Sequence, residues 1–292
     1  MSTDFEPLGQ TTRSWAGITV APNGDVYASN TKYGGYIYKR TGGIGDFVSL
    51  GQYPGFGYKW MCLAAAPNGD VYATKLNGTS HIYKQTGGVG DFVSLNLVPS
   101  VYTGLTVAPN GDVYAANYSG DIYKRTGGIG GFNPLGQTAR PWWGMAAAPN
   151  GDVYACEYNI GGYIYKQTGG VGDFVAIGTS SDAWIATAVA PNGDVYACQY
   201  VGDIYKRTGG IGDFNPLGQT ARSWWGMAAA PNGDVYATSF GGDIYKYTET
   251  PPGPLPVTSD ITRTKVTPGN FPKLIAPVIN AAREHITVGL TL

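Results

Sequence analysis

The chain has 292 residues, 19 Lys and Arg against 20 Asp and Glu, and a charged fraction of 13%, about half that of an ordinary soluble domain. This balance leaves no basic surplus for a nucleic acid or an anionic membrane surface. The 13% of aromatic residues excludes a disordered chain, because so much apolar surface collapses in water.

Residues 1–10 read MSTDFEPLGQ, without the basic start and apolar stretch of a classical signal peptide. No later apolar run is long enough to cross a bilayer as a helix. From residue 21 onward a repeat dominates. The octapeptide Ala-Pro-Asn-Gly-Asp-Val-Tyr-Ala occurs six times, starting at Ala21, Ala66, Ala108, Ala148, Ala190 and Ala230. This is the spacing of propeller blades. Ile-Tyr-Lys follows in every unit, ending at Lys39, Lys84, Lys124, Lys166, Lys206 and Lys246, and Thr-Gly-Gly-(Ile/Val)-Gly follows the first five.

Each unit predicts four short strands. Strand a is the small and apolar run before the octapeptide, strand b is Asp-Val-Tyr-Ala with a residue or two more, and strand c is the Ile-Tyr-Lys segment. Strand d is Phe-Val-Ser-Leu or Phe-Asn-Pro-Leu. Pro and Asn-Gly suit a tight a–b hairpin, and the glycines of the c–d turn supply positive φ without strain. Pro134 and Pro216 fit an outer edge strand that need not donate every ladder bond. The sixth unit stops after strand c, while Asp4–Gln10 copies Asp213–Gln219. The missing sixth strand d is therefore at the N-terminus, and only a closed ring lets it pair there. The expectation is an all-β fold, a six-bladed β-propeller over residues 1–249 with four-stranded blades and a C-terminal extension.

In this arrangement the invariant a–b and c–d turns share one face, and the variable b–c and d–a segments share the other. The variable face carries an aromatic at the entry to each strand a: Trp15, Trp60, Tyr102, Trp142, Trp184 and Trp224. Trp143 and Trp225 follow two of them, and Arg13, Arg140 and Arg222 stand two residues before three of them. Trp–Arg sets suit a sugar, whose C–H face stacks on a ring while fixed donors read its hydroxyls. The same aromatics also suit a wedge that fills each blade, and the composition leaves both readings open. The strand tyrosines are expected to pack with locally satisfied hydroxyls. The repeated Lys and turn Asp are expected to form blade-to-blade or surface ion pairs.

Catalytic and metal-binding patterns are sparse. His81 and His285 lie in no ligand or base motif, the four Glu include only Glu157 on the variable face, and the turn Asp residues are spread one per blade. A Ca2+ site needs its oxygens at one point, and glycoside hydrolysis needs two carboxylates across one bond. The expectation is accordingly a non-enzyme with no metal and no cofactor. Cys62, Cys156 and Cys198 are expected to remain reduced.

The Trp entry, the Gly-Asp-(Ile/Val)-Tyr strands and the glycine hairpins resemble the tachylectin-2/tectonin group of β-propeller lectins. The regular Ala-Pro-Asn-Gly-Asp-Val-Tyr-Ala and Ile-Tyr-Lys-(Arg/Gln)-Thr-Gly-Gly repeats also resemble those of uncharacterised tailed-bacteriophage proteins. These resemblances imply a structural or display component of a virion (tail fibre, collar or baseplate), or a multivalent lectin for cell-surface glycans. A protein–protein scaffold is a third reading. The place implied is the virion, after synthesis in a host cytoplasm, with a cytoplasmic protein as the alternative.

Beyond the repeats, residues 250–256 form a Pro-rich, stiff linker. Residues 257–292 carry no repeat marker but include a short amphipathic pattern near Pro277–Ile286. Phe271, Leu274, Ile275, Val278, Ile279 and Ile286 are the expected docking surface of this arm, which is too short to bury much alone. It is expected to anchor the propeller to other virion or assembly proteins.

Overall fold

A computed structural model describes residues 4–32, 35–77, 79–95, 100–178 and 183–249. The arm residues Phe271, Leu274, Ile275, Val278, Ile279 and Ile286, and the linker before them, lie outside the described residues.

The described chain is all-β, built of repeated four-stranded antiparallel sheets of the propeller kind. Strand a runs Arg13–Val20, Lys59–Ala65, Tyr102–Val107, Trp142–Ala147, Trp184–Val189 and Trp224–Ala229 in successive repeats. Each a strand contacts the next, and the sixth contacts the first. Strands a, b, c and d pair in order within a repeat. The N-terminal strand Glu6–Pro7 supplies strand d of the sixth, with Glu6 opposite Lys246 and Pro7 opposite Tyr245.

One feature departs from separate four-stranded sheets. The first and sixth repeats merge into one eight-stranded sheet, because Arg13 and Ser14 pair with Gly242 and Phe240. Strand b of the sixth repeat runs on to Gly242, so its extension meets the start of the first strand a.

The a–b turn closes by Gly24 N–H donating to the Ala21 carbonyl at 2.9 Å, with Gly24 at φ 85. Asn23 acts through its side chain: Oδ1 accepts from the Asp25 amide, and Nδ2 donates to Asp25 Oδ2. The aspartate so oriented pairs with the lysine of its own repeat, from Asp25–Lys39 at 2.7 Å to Asp234–Lys246 at 3.1 Å. Its other oxygen accepts from the c–d glycine amide, as Gly42 does to Asp25 at 2.7 Å. Burial alone would raise these carboxyls. The lysine, the turn amide (the Thr248 hydroxyl at Asp234) and the asparagine outweigh it and hold all six below the usual carboxylate range.

The expected division of labour is thus reversed. The Asp–Lys pairs lie within a blade, fastening turn a–b to strand c, and it is the tyrosines that reach across. Tyr27 donates to the Gly88 carbonyl of the next repeat at 3.2 Å, and Tyr114 to Gly170 at 3.3 Å. Gln52, Gln137 and Gln219 likewise accept from the amides of Phe92, Phe174 and Phe5 in the following repeat. The third of these ties the N-terminal segment into the ring by the same bond as the others.

Inner strands touch closely. A Cβ on Gly17, Gly104, Gly144 or Gly226 would lie 2.0–2.5 Å from a backbone oxygen of the neighbouring strand a. Hydroxyls complete these joints: Ser29 donates to the Met61 carbonyl, Thr103 to Trp142 and Thr238 to Ala16.

Candidate functional site: the aromatic mouth of the channel

The six a strands surround a channel. One end is lined by Pro22, Pro67, Pro109, Pro149, Pro191 and Pro231. The other is lined by Met61, Cys62, Ile185, Trp143 and Trp225 with backbone from every repeat.

The entry aromatics do not face this channel. Trp15, Trp142, Trp184 and Trp224 are buried, at most 2% exposed. Each stands edge-on to the strand-c tyrosine of its blade, 5.0–5.3 Å between centroids, and tilts against the strand-d phenylalanine. The structure thus places these four candidate ligand contacts inside the blade cores, away from the channel. The arginines cover these cores. Arg13, Arg140 and Arg222 lie 4.5–4.7 Å over the rings of Tyr38, Tyr165 and Tyr245. Arg140 also meets Glu157 at 3.4 Å.

Trp143 and Trp225 are placed differently because strand a bulges after its entry aromatic. Pairing shifts between Trp142 and Met145, and between Trp224 and Gly226, and bulges re-aim side chains in this way. The two indoles, from the fourth and sixth repeats, meet with centroids 6.1 Å apart at 79°. Ile185, at the equivalent position of the fifth repeat, is buried. Trp143 also touches Tyr118 and Tyr158, and Trp225 touches Tyr200 and Phe240. Tyr158 and Tyr200 close the set at 6.0 Å.

Tyr118, Tyr158, Tyr200 and Phe240 went unnoticed in the sequence, although a signal is present. Each is the fourth residue after the octapeptide tyrosine, in four consecutive repeats. Thr31 and Leu76 hold that position in the first two, so the aromatic surface covers one side of the mouth. Trp143 and Trp225 are half-buried, and Phe240 is 41% exposed.

Glu157 is a buried carboxylate next in the chain to Tyr158, and its side chain lies with Arg140 and Tyr165 of its own blade. It accepts from the Tyr165 hydroxyl at 3.1 Å and from Arg140. Burial, with the Glu157 charge, pushes the Tyr165 phenol up to about 12, so Tyr165 stays protonated and donates. Among the described residues no three His, Cys, Asp or Glu side chains gather as a metal site.

No protein-family model matches the sequence, and no curated protein is similar to it. Solved structures do resemble the fold. A streptogramin B lyase aligns at 16% identity over 83% of this chain and 96% of its own, with a TM-score of 0.59. A virginiamycin B lyase from Staphylococcus aureus aligns at 17% over 85% and 89%, TM-score 0.58. The PQQ-bound aldose sugar dehydrogenase of Streptomyces coelicolor aligns at 14% over 82% and 96%, TM-score 0.58. At such identities the likeness is one of fold: this is a β-propeller.

The same neighbours overturn the expectation of a non-enzymatic bacteriophage display protein. They are two lyases and a dehydrogenase, and they lend no support to the virion or tachylectin-2/tectonin resemblance. The few His and Glu and the dispersed turn Asp are what argue against catalysis in the sequence. A propeller, however, can gather unlike side chains at one channel mouth through single-residue variation at equivalent positions, as at Trp143, Ile185 and Trp225.

Proposed function

We propose that this chain is a six-bladed propeller that takes a small, ring-bearing organic molecule at the aromatic mouth of its channel and acts on it chemically. The eight-stranded sheet counts as two blades in this reading. The observation that carries it is the contiguous set Trp143, Trp225, Tyr118, Tyr158, Tyr200 and Phe240, brought together from four repeats. A monomer seldom leaves so many large rings partly open to water without a use, and rings with a polar group beside them are the usual make-up of a small-molecule pocket. The similar folds of a lyase and a sugar dehydrogenase support chemistry at such a mouth. Glu157, held by Arg140 and Tyr165, is the group to receive a proton.

Uncharged aromatic and saccharide ring compounds titrated against indole fluorescence test the proposal. It expects saturable quenching that weakens at least about tenfold, a loss of ~1.4 kcal/mol, in Trp143→Ala with Trp225→Ala. It also expects Glu157→Gln to bind the same compound without converting it. Affinity untouched by the double substitution contradicts it.

A further inference from the structure

The opposite face carries a second pattern, in the junctions between repeats. Five junctions set the strand-b tyrosine of one repeat against the Gly-Gly turn of the next. The residue before that turn alternates: Arg40, Arg125 and Arg207 in the first, third and fifth repeats, Gln85 and Gln167 in the second and fourth. At the two glutamine junctions the tyrosine is bonded, Tyr27 to Gly88 and Tyr114 to Gly170. At the three arginine junctions Tyr236, Tyr72 and Tyr154 make no hydroxyl hydrogen bond among the described residues. Each hydroxyl still lies by its turn, within 3.0–3.3 Å of where a Cβ on Gly43, Gly128 or Gly210 would stand.

The arginines are unmatched at the same places. Nη1 of Arg40, Arg125 and Arg207 is buried without a partner, as is Nε of the last two. Unbonded buried donors are rare and call for an acceptor. Each arginine acts on the facing tyrosine: burial raises the Tyr236 hydroxyl, Asp234 adds to this, and Arg40 opposes it. Cavities open at two of these junctions, one lined by Tyr236, Asn232 and Gly43, the other by Tyr154, Asn150 and Lys166. Among the described residues the Asp–Lys pairs are matched within each blade, and no ion pair is made by Arg40, Arg125 or Arg207.

At the junction between the fifth and sixth repeats, where Tyr247 stands in place of the arginine, a carboxylate already meets the strand-b tyrosine and strand-c lysine that every repeat carries. The sixth repeat has no glycine turn, and a carboxylate of the chain itself stands in its stead. Glu249 takes hydrogen bonds from Lys206 at 2.5 Å, Tyr196 at 3.3 Å and Asn192 at 3.4 Å. These residues are the repeat equivalents of Lys166, Tyr154 and Asn150.

We propose that the three arginine junctions are binding sites for a small carboxylate, seated between the tyrosine hydroxyl and the arginine as Glu249 is seated between Tyr196 and Lys206. A planar guanidinium suits a carboxylate by geometry as well as charge. These sites stand apart from the aromatic mouth, so either reading can fail without the other.

The test is an acetate titration of the full chain at fixed ionic strength, with chloride as control, followed through the arginine Nε–H NMR signals. Expected are saturable shifts at Arg40, Arg125 and Arg207 alone and a stoichiometry of three. Each of Arg40→Gln, Arg125→Gln and Arg207→Gln removes one site. Glutamine already occupies this position in two repeats, so the fold tolerates it. Gln167→Arg adds a fourth site. Non-saturating shifts, an unchanged response in the triple glutamine variant, or a structure at saturating acetate with only water between Tyr236 and Arg40 overturns the proposal.

Discussion

At the residue scale, the turn aspartates show how a buried charge is made stable. Asp112 receives the Gly127 amide at 2.7 Å, the Asn110 side chain at 3.1 Å and Lys124 at 2.9 Å. Its pKa in the folded chain lies below that of an unfolded aspartate, near 3.9. The stabilisation is therefore complete above about pH 4 and disappears as pH falls through the folded value. Six such sites titrate in one window, so unfolding by acid should be steep below about pH 4. Asp112→Asn should cost about 1–3 kcal/mol at neutral pH, the usual range for leaving buried partners unmatched, and should flatten the acid limb. Urea unfolding across pH 2–7 measures both. The residue types and turn chemistry of this unit were readable from the repeat. Its partner was not, because spacing alone does not say which blade's lysine the aspartate meets. The antiparallel register that sets Tyr27 opposite Lys39 decides it.

At the element scale, strand a serves two purposes within two residues. Its entry aromatic points into the blade, and the bulge turns the next side chain toward the channel. Trp184→Ala should cost about 3–5 kcal/mol, as large aromatic truncations in cores do. Trp143→Ala should cost only about 1–2 kcal/mol, within the ordinary range of single substitutions, while removing the ligand response. Thermal unfolding and ligand titration of the two variants side by side check this contrast; equal destabilisation would count against it. The tryptophan doublets were legible as candidates, but the bulge that separates Trp143 from Trp142 was not. Nor was the convergence of Tyr158 and Tyr200 with the indoles, since these tyrosines sit in segments that vary from repeat to repeat. Only the ring brings the end of strand b beside the bulge of a neighbouring strand a.

At the scale of the whole molecule, closure rests on the N-terminal segment. Phe5 fills the slot that Phe214 fills one repeat earlier, against Trp224 at 6.1 Å and Tyr247 at 5.3 Å. Its amide meets Gln219 at 2.8 Å. The near-copy of Asp213–Gln219 at Asp4–Gln10 makes this pairing legible in the sequence. Deleting residues 1–10 should remove at least roughly 3 kcal/mol, the cost of truncating one buried phenylalanine. It also bares the edge of Ile244–Tyr247, so strand exchange between molecules should follow. Calorimetry and light scattering would register a lower Tm and concentration-dependent dimers; an unchanged monomer would refute closure by this strand.

The central claim concerns the aromatic mouth, and soaking crystals of the full chain with a library of ring-bearing fragments tests it most directly. The account predicts fragments stacked against Trp143 and Trp225, near Tyr158 and Tyr200, and none there in crystals of the double alanine variant. Fragments that settle elsewhere on the disc and leave these two indoles bare would contradict it.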